Sequence, residues 1–224
     1  LHTATELARQ LALLRDARGP VGHCQLIGGE VSLLPPDDHA AALEIMRFYG
    51  RIPMSFTHGD FDYDYLRRLA VRSEDGRPRF SRIDFAVHFD MFMYGRKGIE
   101  RPTCEADLAP FRRRFVEMFK RLKREHGVEY YLAHNMTVQD GNLAQIAEVV
   151  RDAKNLGFRM TSFQPAAQQG DPTRWLSDFQ SVAHNHGEPV WQQIERGAGT
   201  RLPYKLFQMG DLRCNRTVMC VLVG

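Results

Sequence analysis

Short apolar runs alternate with amphipathic stretches along most of the 224 residues, and this alternation restricts the chain to a parallel α/β architecture. Over residues 5–15, Leu7, Leu11 and Leu14 recur at steps of four and three, the period of a helix with one buried face, and Gly19-Pro20 ends it. Strands are predicted in the run CQLIGG from Cys24 and over 52–56, 83–88, 128–132 and 158–163. Helices fill the intervals: one capped by Asp37 or Asp38 and running to 49, then 63–71, 105–126 stopped by Gly127, and 142–155 stopped by Gly157. Strand–helix units spaced about 25–45 residues apart give a parallel sheet, open or closed into a barrel. Beyond Pro165 the pattern loosens, with helices expected around 173–184 and 189–196 and a strand around 205–209. A barrel unit over 1–165 and a C-terminal extension over 166–224 are therefore expected.

Thirty Lys and Arg stand against 27 Asp and Glu, and a formal charge of +3 argues for neither nucleic acid nor a membrane surface. With 43% hydrophobic and 25% charged residues, disorder, collagen and coiled coil are excluded. No apolar run approaches the roughly 18–20 residues of a spanning helix, and LHTATELARQ lacks the basic-then-apolar order of a signal peptide. Cys24, Cys104, Cys214 and Cys220 show no disulfide spacing, which suits a reducing compartment, and a cytoplasmic protein is expected. The chain opens on Leu1 inside a predicted helix and stops at VMCVLVG, which reads as an unfinished strand, so a piece of a longer protein is expected. Gly-x-Ser-x-Gly, P-loop and Gly-x-Gly-x-x-Gly motifs are all missing.

In a parallel sheet or barrel, ligands bind at the carboxyl ends of the strands, where helix N-termini and loop backbone converge. That rule selects Gly28-Gly29-Glu30, Thr57-His58-Gly59, His88-Phe89-Asp90, His134-Asn135 and Gln164-Pro165.

A strand ending in Gly28-Gly29-Glu30 and followed by Leu33-Leu34-Pro35 resembles the GGE motif of the radical S-adenosylmethionine (radical SAM) enzymes. HFDMFMYGRKG, then Cys104-Glu105-Ala106-Asp107-Leu108, is similar to the family's polar residue, Asp and Arg-Gly segment leading into a helix. HNMTVQDGNLAQI is similar to its Asn-x-x-Val followed by Gly-Asn. The three occur in the family's order, and the resemblance covers residues 7–165. It implies a partial (β/α)6 TIM-like barrel of parallel strands whose first strand is missing. It also implies a [4Fe-4S] cluster, S-adenosylmethionine, an external electron donor, and a 5′-deoxyadenosyl radical that abstracts hydrogen from a small-molecule or peptide substrate.

The family's C-x3-C-x2-C loop occurs nowhere in the chain, so by the resemblance the cluster cysteines are expected before Leu1. Carried over by motif, Gly28, Gly29 and Glu30 meet the methionyl ammonium. His88 and Asp90, on one face of a strand, are the candidate catalytic pair, with contacts to cofactor or substrate or an acid–base role. Arg96 would hold the cofactor carboxylate and Asn135 its ribose or adenine, while Asn142 caps the following helix. Thr57 and His58 would face the cavity, Thr57 among the cofactor contacts.

Other groupings carry less. His134 with His184-x-His186 could be read as metal ligands, but 184–187 reads as a helix end, where alternate residues diverge. Cys214 and Cys220 are candidates for an auxiliary cluster. Arg112, Arg113, Arg114, Lys120, Arg121, Lys123 and Arg124 surround the stripe Phe111, Phe115, Met118, Phe119 and Leu122, which makes them a solvated outer face. The alternative to radical chemistry is a noncatalytic or cluster-independent barrel that binds a small metabolite, with His88 and Asp90 as its polar or acid–base groups.

Overall fold

The computed structural model describes residues 4–166, 187–206 and 215–220. Helix α1 (Ala4–Arg18) leads into β1 (Gly22–Leu26). The strand–helix unit then repeats through α2 (Pro36–Phe48), β2 (Arg51–Thr57), α3 (Tyr63–Ala70), β3 (Arg82–His88), α4 (Ala109–His126) and β4 (Glu129–Val138). The short α5 (Asp140–Leu143), α6 (Ile146–Leu156) and β5 (Met160–Pro165) follow, and α7 (Gly187–Ala198) packs on α6 through Val190 and Ile194.

Every strand pairing is parallel, and the spatial order is β1-β2-β3-β4-β5. An order that never reverses advances the sheet in one direction, and right-handed crossovers then put all the connecting helices on one side. The five strands curl into a half-barrel, as expected of a partial TIM-like barrel. Because strand side chains alternate, register sorts the residues by face. Ser55 beside Phe85, and Phe85 beside Leu132, turn toward the helices, whereas His88, Asn135 and Ser162 form one row across the concave face.

The core lies between sheet and helices. Phe85 and Phe115 both pack on Phe119, with ring centroids 5.1 and 5.0 Å apart, and all three are fully buried. Each such ring contributes roughly 1.5–3 kcal/mol by leaving water. The predicted stripe of α4 is the buried one, with Phe115, Met118, Phe119 and Leu122 inside. Gly59 sits just beyond β2 at φ +73°, where a β-carbon would lie 2.7 Å from Val87 Cγ2 and 3.0 Å from Phe115 Cδ2. Gly59→Ala is expected to cost about 1–3 kcal/mol in urea unfolding, by strain and overpacking together.

Several expected boundaries shift. No Asp caps α2: Pro35 and Pro36 open it with their fixed φ, and Asp37 instead receives Arg79 Nη2 at 2.5 Å. Residues 105–108 form a 3-10 turn, so α4 begins at Ala109. Strand β4 runs six residues past Leu132 because β3 supplies partners through Asn135 and β5 through Val138. The 142–155 helix divides into α5 and α6, and β5 begins at Met160. Lys205 lies in a 3-10 turn (Tyr204–Leu206) and not in a strand, while the helix expected at 173–184 is outside the described residues. Arg112 is not on the solvated face. It is 1% exposed, at the contact of α4 with α6, and is paired with Asp152 at 2.6 Å. Among the described residues, no helix is long and apolar enough to cross a membrane.

Candidate functional site

At the exit of β1, Gly28 (φ +130°) and Gly29 (φ +55°) hold conformations that side chains disfavour, and no atom lies within 4 Å of where either β-carbon would stand. The backbone there is open to an approaching ligand. Glu30 follows and caps a 3-10 turn (Val31–Leu33). Its Oε1 accepts from Ser32 N (3.0 Å), Ser32 Oγ (2.7 Å) and Thr57 Oγ1 (2.5 Å), and its Oε2 accepts from His58 N (2.7 Å). Burial alone would push this carboxyl up, but the hydrogen bonds outweigh it and hold Glu30 below the ordinary carboxylate range. Glu30 therefore ties the exit of β1 to that of β2. Thr57, 1% exposed, turns toward Glu30, and its hydroxyl also accepts from Gly59 N.

Beyond β2, His58 is exposed, with Nδ1 3.5 Å from Glu30. At the exit of β3, His88 Nε2 bonds Asp90 Oδ2. An ionised carboxylate only accepts, so Nε2 carries the proton, and the same nitrogen lies 3.2 Å from Thr137 Oγ1. Asp90 also accepts from Phe92 N (2.9 Å) and Thr137 N (3.2 Å). Burial favours the neutral acid, yet the bond and charge of His88 and the two backbone donors prevail, and the Asp90 carboxyl sits below its usual range.

Asn135 stands beside His88 in register and is 4% exposed, and its Nδ2 has no hydrogen-bond partner. Leaving a buried amide donor unmatched costs about 1–3 kcal/mol, so the group marks a position where a ligand acceptor fits. Arg96 is strapped across the ends of β2 and β3, giving Nη1 to the His58 carbonyl (2.7 Å) and Nη2 to that of His88 (3.1 Å), with its guanidinium 4.4 Å over the Phe89 ring. Both terminal nitrogens are thus engaged by backbone, and Nε is the group left over.

His134 points the other way. It is fully buried among Phe89, at 6.0 Å, and Phe158, at 5.5 Å, with neither ring nitrogen partnered. Burial, then the charge of Arg112, holds its pKa far below the ordinary histidine value, so it is a neutral core residue. His184, His186 and Cys214 lie outside the described residues.

The role of one group, Glu105, escapes the sequence reading. Glu105 is 1% exposed, and its Oε1 accepts from Met91 N (3.0 Å) and Asn142 Nδ2 (2.9 Å). Asn142 caps α5 as expected, as the third helical residue of its capping box. Its Oδ1 accepts from Gln139 N at 2.8 Å while its amide also donates to the Thr137 carbonyl at 2.9 Å. Glu105 at a predicted helix start reads as a partner of the helix dipole, and only its burial distinguishes it.

The residues fit the two expected groups differently. An open Gly28-Gly29 backbone and an orphaned Asn135 donor suit a polar organic cofactor. A cluster with one open iron needs three thiolates. Among the described residues Cys24, Cys104 and Cys220 are free, and no three His, Cys, Asp or Glu converge on a metal position, so these residues do not fit the cluster.

No protein-family model and no curated protein matches the chain. Among solved structures it is similar to TYW1, a radical SAM enzyme, solved with a lysine–pyruvate adduct bound. The TM-score is 0.50 at 13% identity, over 86% of this chain and 59% of that one. The half-barrel thus stands in a fold relationship to a radical SAM enzyme and spans about 59% of that neighbour's length.

Proposed function

We propose that this chain forms the S-adenosylmethionine-binding half-barrel of a radical SAM enzyme. The observation that carries the reading is the buried, unpartnered Asn135 amide in the His88 row. The order of the three sequence motifs and the fold likeness to TYW1 support it. Gly28 and Gly29 offer carbonyls to an ammonium, held in place by the Glu30–Thr57–His58 bonds. Asn135 donates its amide to a ribose or adenine acceptor, and His88, fixed by Asp90, presents its outer ring edge to the same cavity. Bound S-adenosylmethionine supplies the family's hydrogen-abstracting chemistry, with an external reductant.

Titration calorimetry of the chain with S-adenosylmethionine and S-adenosylhomocysteine tests this. Asn135→Leu is expected to weaken binding roughly three- to tenfold, the worth of one hydrogen bond. Equal affinity of wild type and variant would remove Asn135 from the site. One geometry favours a second reading, a cluster-independent acid–base barrel: an imidazole oriented by a buried carboxylate is the arrangement of a general base. A folded chain that binds neither sulfonium nor thioether would leave that reading standing.

A further inference from the structure

We propose that Glu105 is the positioning residue of the His88–Asp90 pair, locking the turn after β3 to the turn after β4 through Met91 and Asn142. The inference rests on reading His88–Asp90 as the working end of the site. Three loops meet at this side chain. Oε1 takes Met91 N, one residue beyond Asp90, and Asn142 Nδ2, which also holds the carbonyl of Thr137. Thr137 in turn supplies a backbone donor to Asp90 and a hydroxyl beside His88. The Glu105 backbone N–H reaches Gln145 Oε1 at 2.7 Å, anchoring the 3-10 turn to the start of α6. Removing the carboxyl would free both turns that define the dyad.

The charged groups facing Glu105 are Asp90 and Arg112. Arg112 spends Nε on Asp152 and gives Nη2 to the carbonyl of Glu105, not to its carboxyl, and Oε2 has no partner. Burial pushes the carboxyl up more than the bonds from Met91 and Asn142 pull it down, and the charge of Asp90 adds to the rise. One carboxyl raised beside another lowered is the divergence that sets an acid apart from its ionised neighbour. Since one oxygen does all the accepting, glutamine can replace glutamate: its carbonyl takes both donors, and its amide occupies the place of Oε2.

The test is the downfield imidazole N–H resonance of His88 in proton NMR of the full chain, assigned by its loss in His88→Asn. Wild type and Glu105→Gln are expected to show the same line. Glu105→Ala should lose it to exchange, with the N–H exchanging at least tenfold faster while circular dichroism stays native. If Glu105→Ala does not fold, Asn142→Ser removes the same link and should broaden the line likewise. An unchanged line in Glu105→Ala or Asn142→Ser overturns the proposal, as does loss of the line in Glu105→Gln. No downfield line in the wild type would overturn the dyad reading, and the proposal falls with it.

Discussion

Acidification from about pH 8 to about pH 4 is expected to remove roughly 3 kcal/mol of stability through His39 alone. This side chain is fully buried, with Nδ1 2.9 Å from Tyr65 Oη and Nε2 2.8 Å from Ser55 Oγ. Tyr65 donates its own proton to the Val31 carbonyl at 3.3 Å. Its oxygen therefore accepts from Nδ1–H, and Nε2 accepts from Ser55. The ring is wired as a neutral tautomer, and burial lowers its pKa from 6.5 to about 4. Below pH 6.5 the unfolded chain binds a proton that the folded chain refuses, so stability is complete above 6.5 and drains away down to about 4. His134, also held low by burial, acts in the same direction. Glu105 acts oppositely: its raised carboxyl makes the folded chain the better proton binder above the usual glutamate range, which offsets part of the loss. Urea midpoints at pH 7.5, 6 and 5 measure the slope, and His39→Gln with His134→Phe should flatten it. Identical wild-type midpoints at pH 7.5 and 5 would refute the account.

Asp152→Ala is expected to destabilise the chain by about 3 kcal/mol, because it strands the Arg112 guanidinium in the interior. Asp152 holds Nε, the Glu105 carbonyl holds Nη2, and Nη1 already lacks a partner. Asp152 is itself 22% exposed, which keeps the effect at the low end of the range for buried pairs. At this chain length the loss corresponds to a fall in Tm of roughly 6–12 °C. The double variant Arg112→Met, Asp152→Leu should recover most of it, since removing both charges leaves none unmatched. Scanning calorimetry of the two variants decides the matter: a double variant no better than Asp152→Ala would mean that the damage is lost packing.

Much of this architecture was legible from period alone. The steps of three and four in α1 and α4, and the short apolar runs of β2 and β3, reflect faces that must be buried whatever the neighbours are. What escaped depends on partners distant in sequence. His134-Asn135-Met136-Thr137 reads as polar loop, yet β3 and β5 extend it as strand, with His134 and Met136 in the core and Asn135 and Thr137 on the other face. Arg112 resembles its exposed neighbours until α6 brings Asp152 against it. At the site, alternation correctly put His88 and Asp90 on one face, and they are bonded. The roles of Glu30 and Arg96 were harder to read. Glu30 holds its own turn and the exit of β2, and Arg96 holds backbone carbonyls, because loop geometry decides which way a charged side chain turns. Glu105 gave no sign, since burial of a helix-start acid comes entirely from the loops that close over it.

The unreversed strand order has a consequence for how the molecule is made. Each strand after the first pairs with the strand immediately before it, so a chain emerging from the ribosome can add one helix–strand unit at a time to an already formed edge. Strand β1 gains β2 as a neighbour only once the residues through Thr57 are available. A pause before β2 has emerged leaves β1 without β2, whereas a pause after β4 has emerged leaves β1 to β4 already joined.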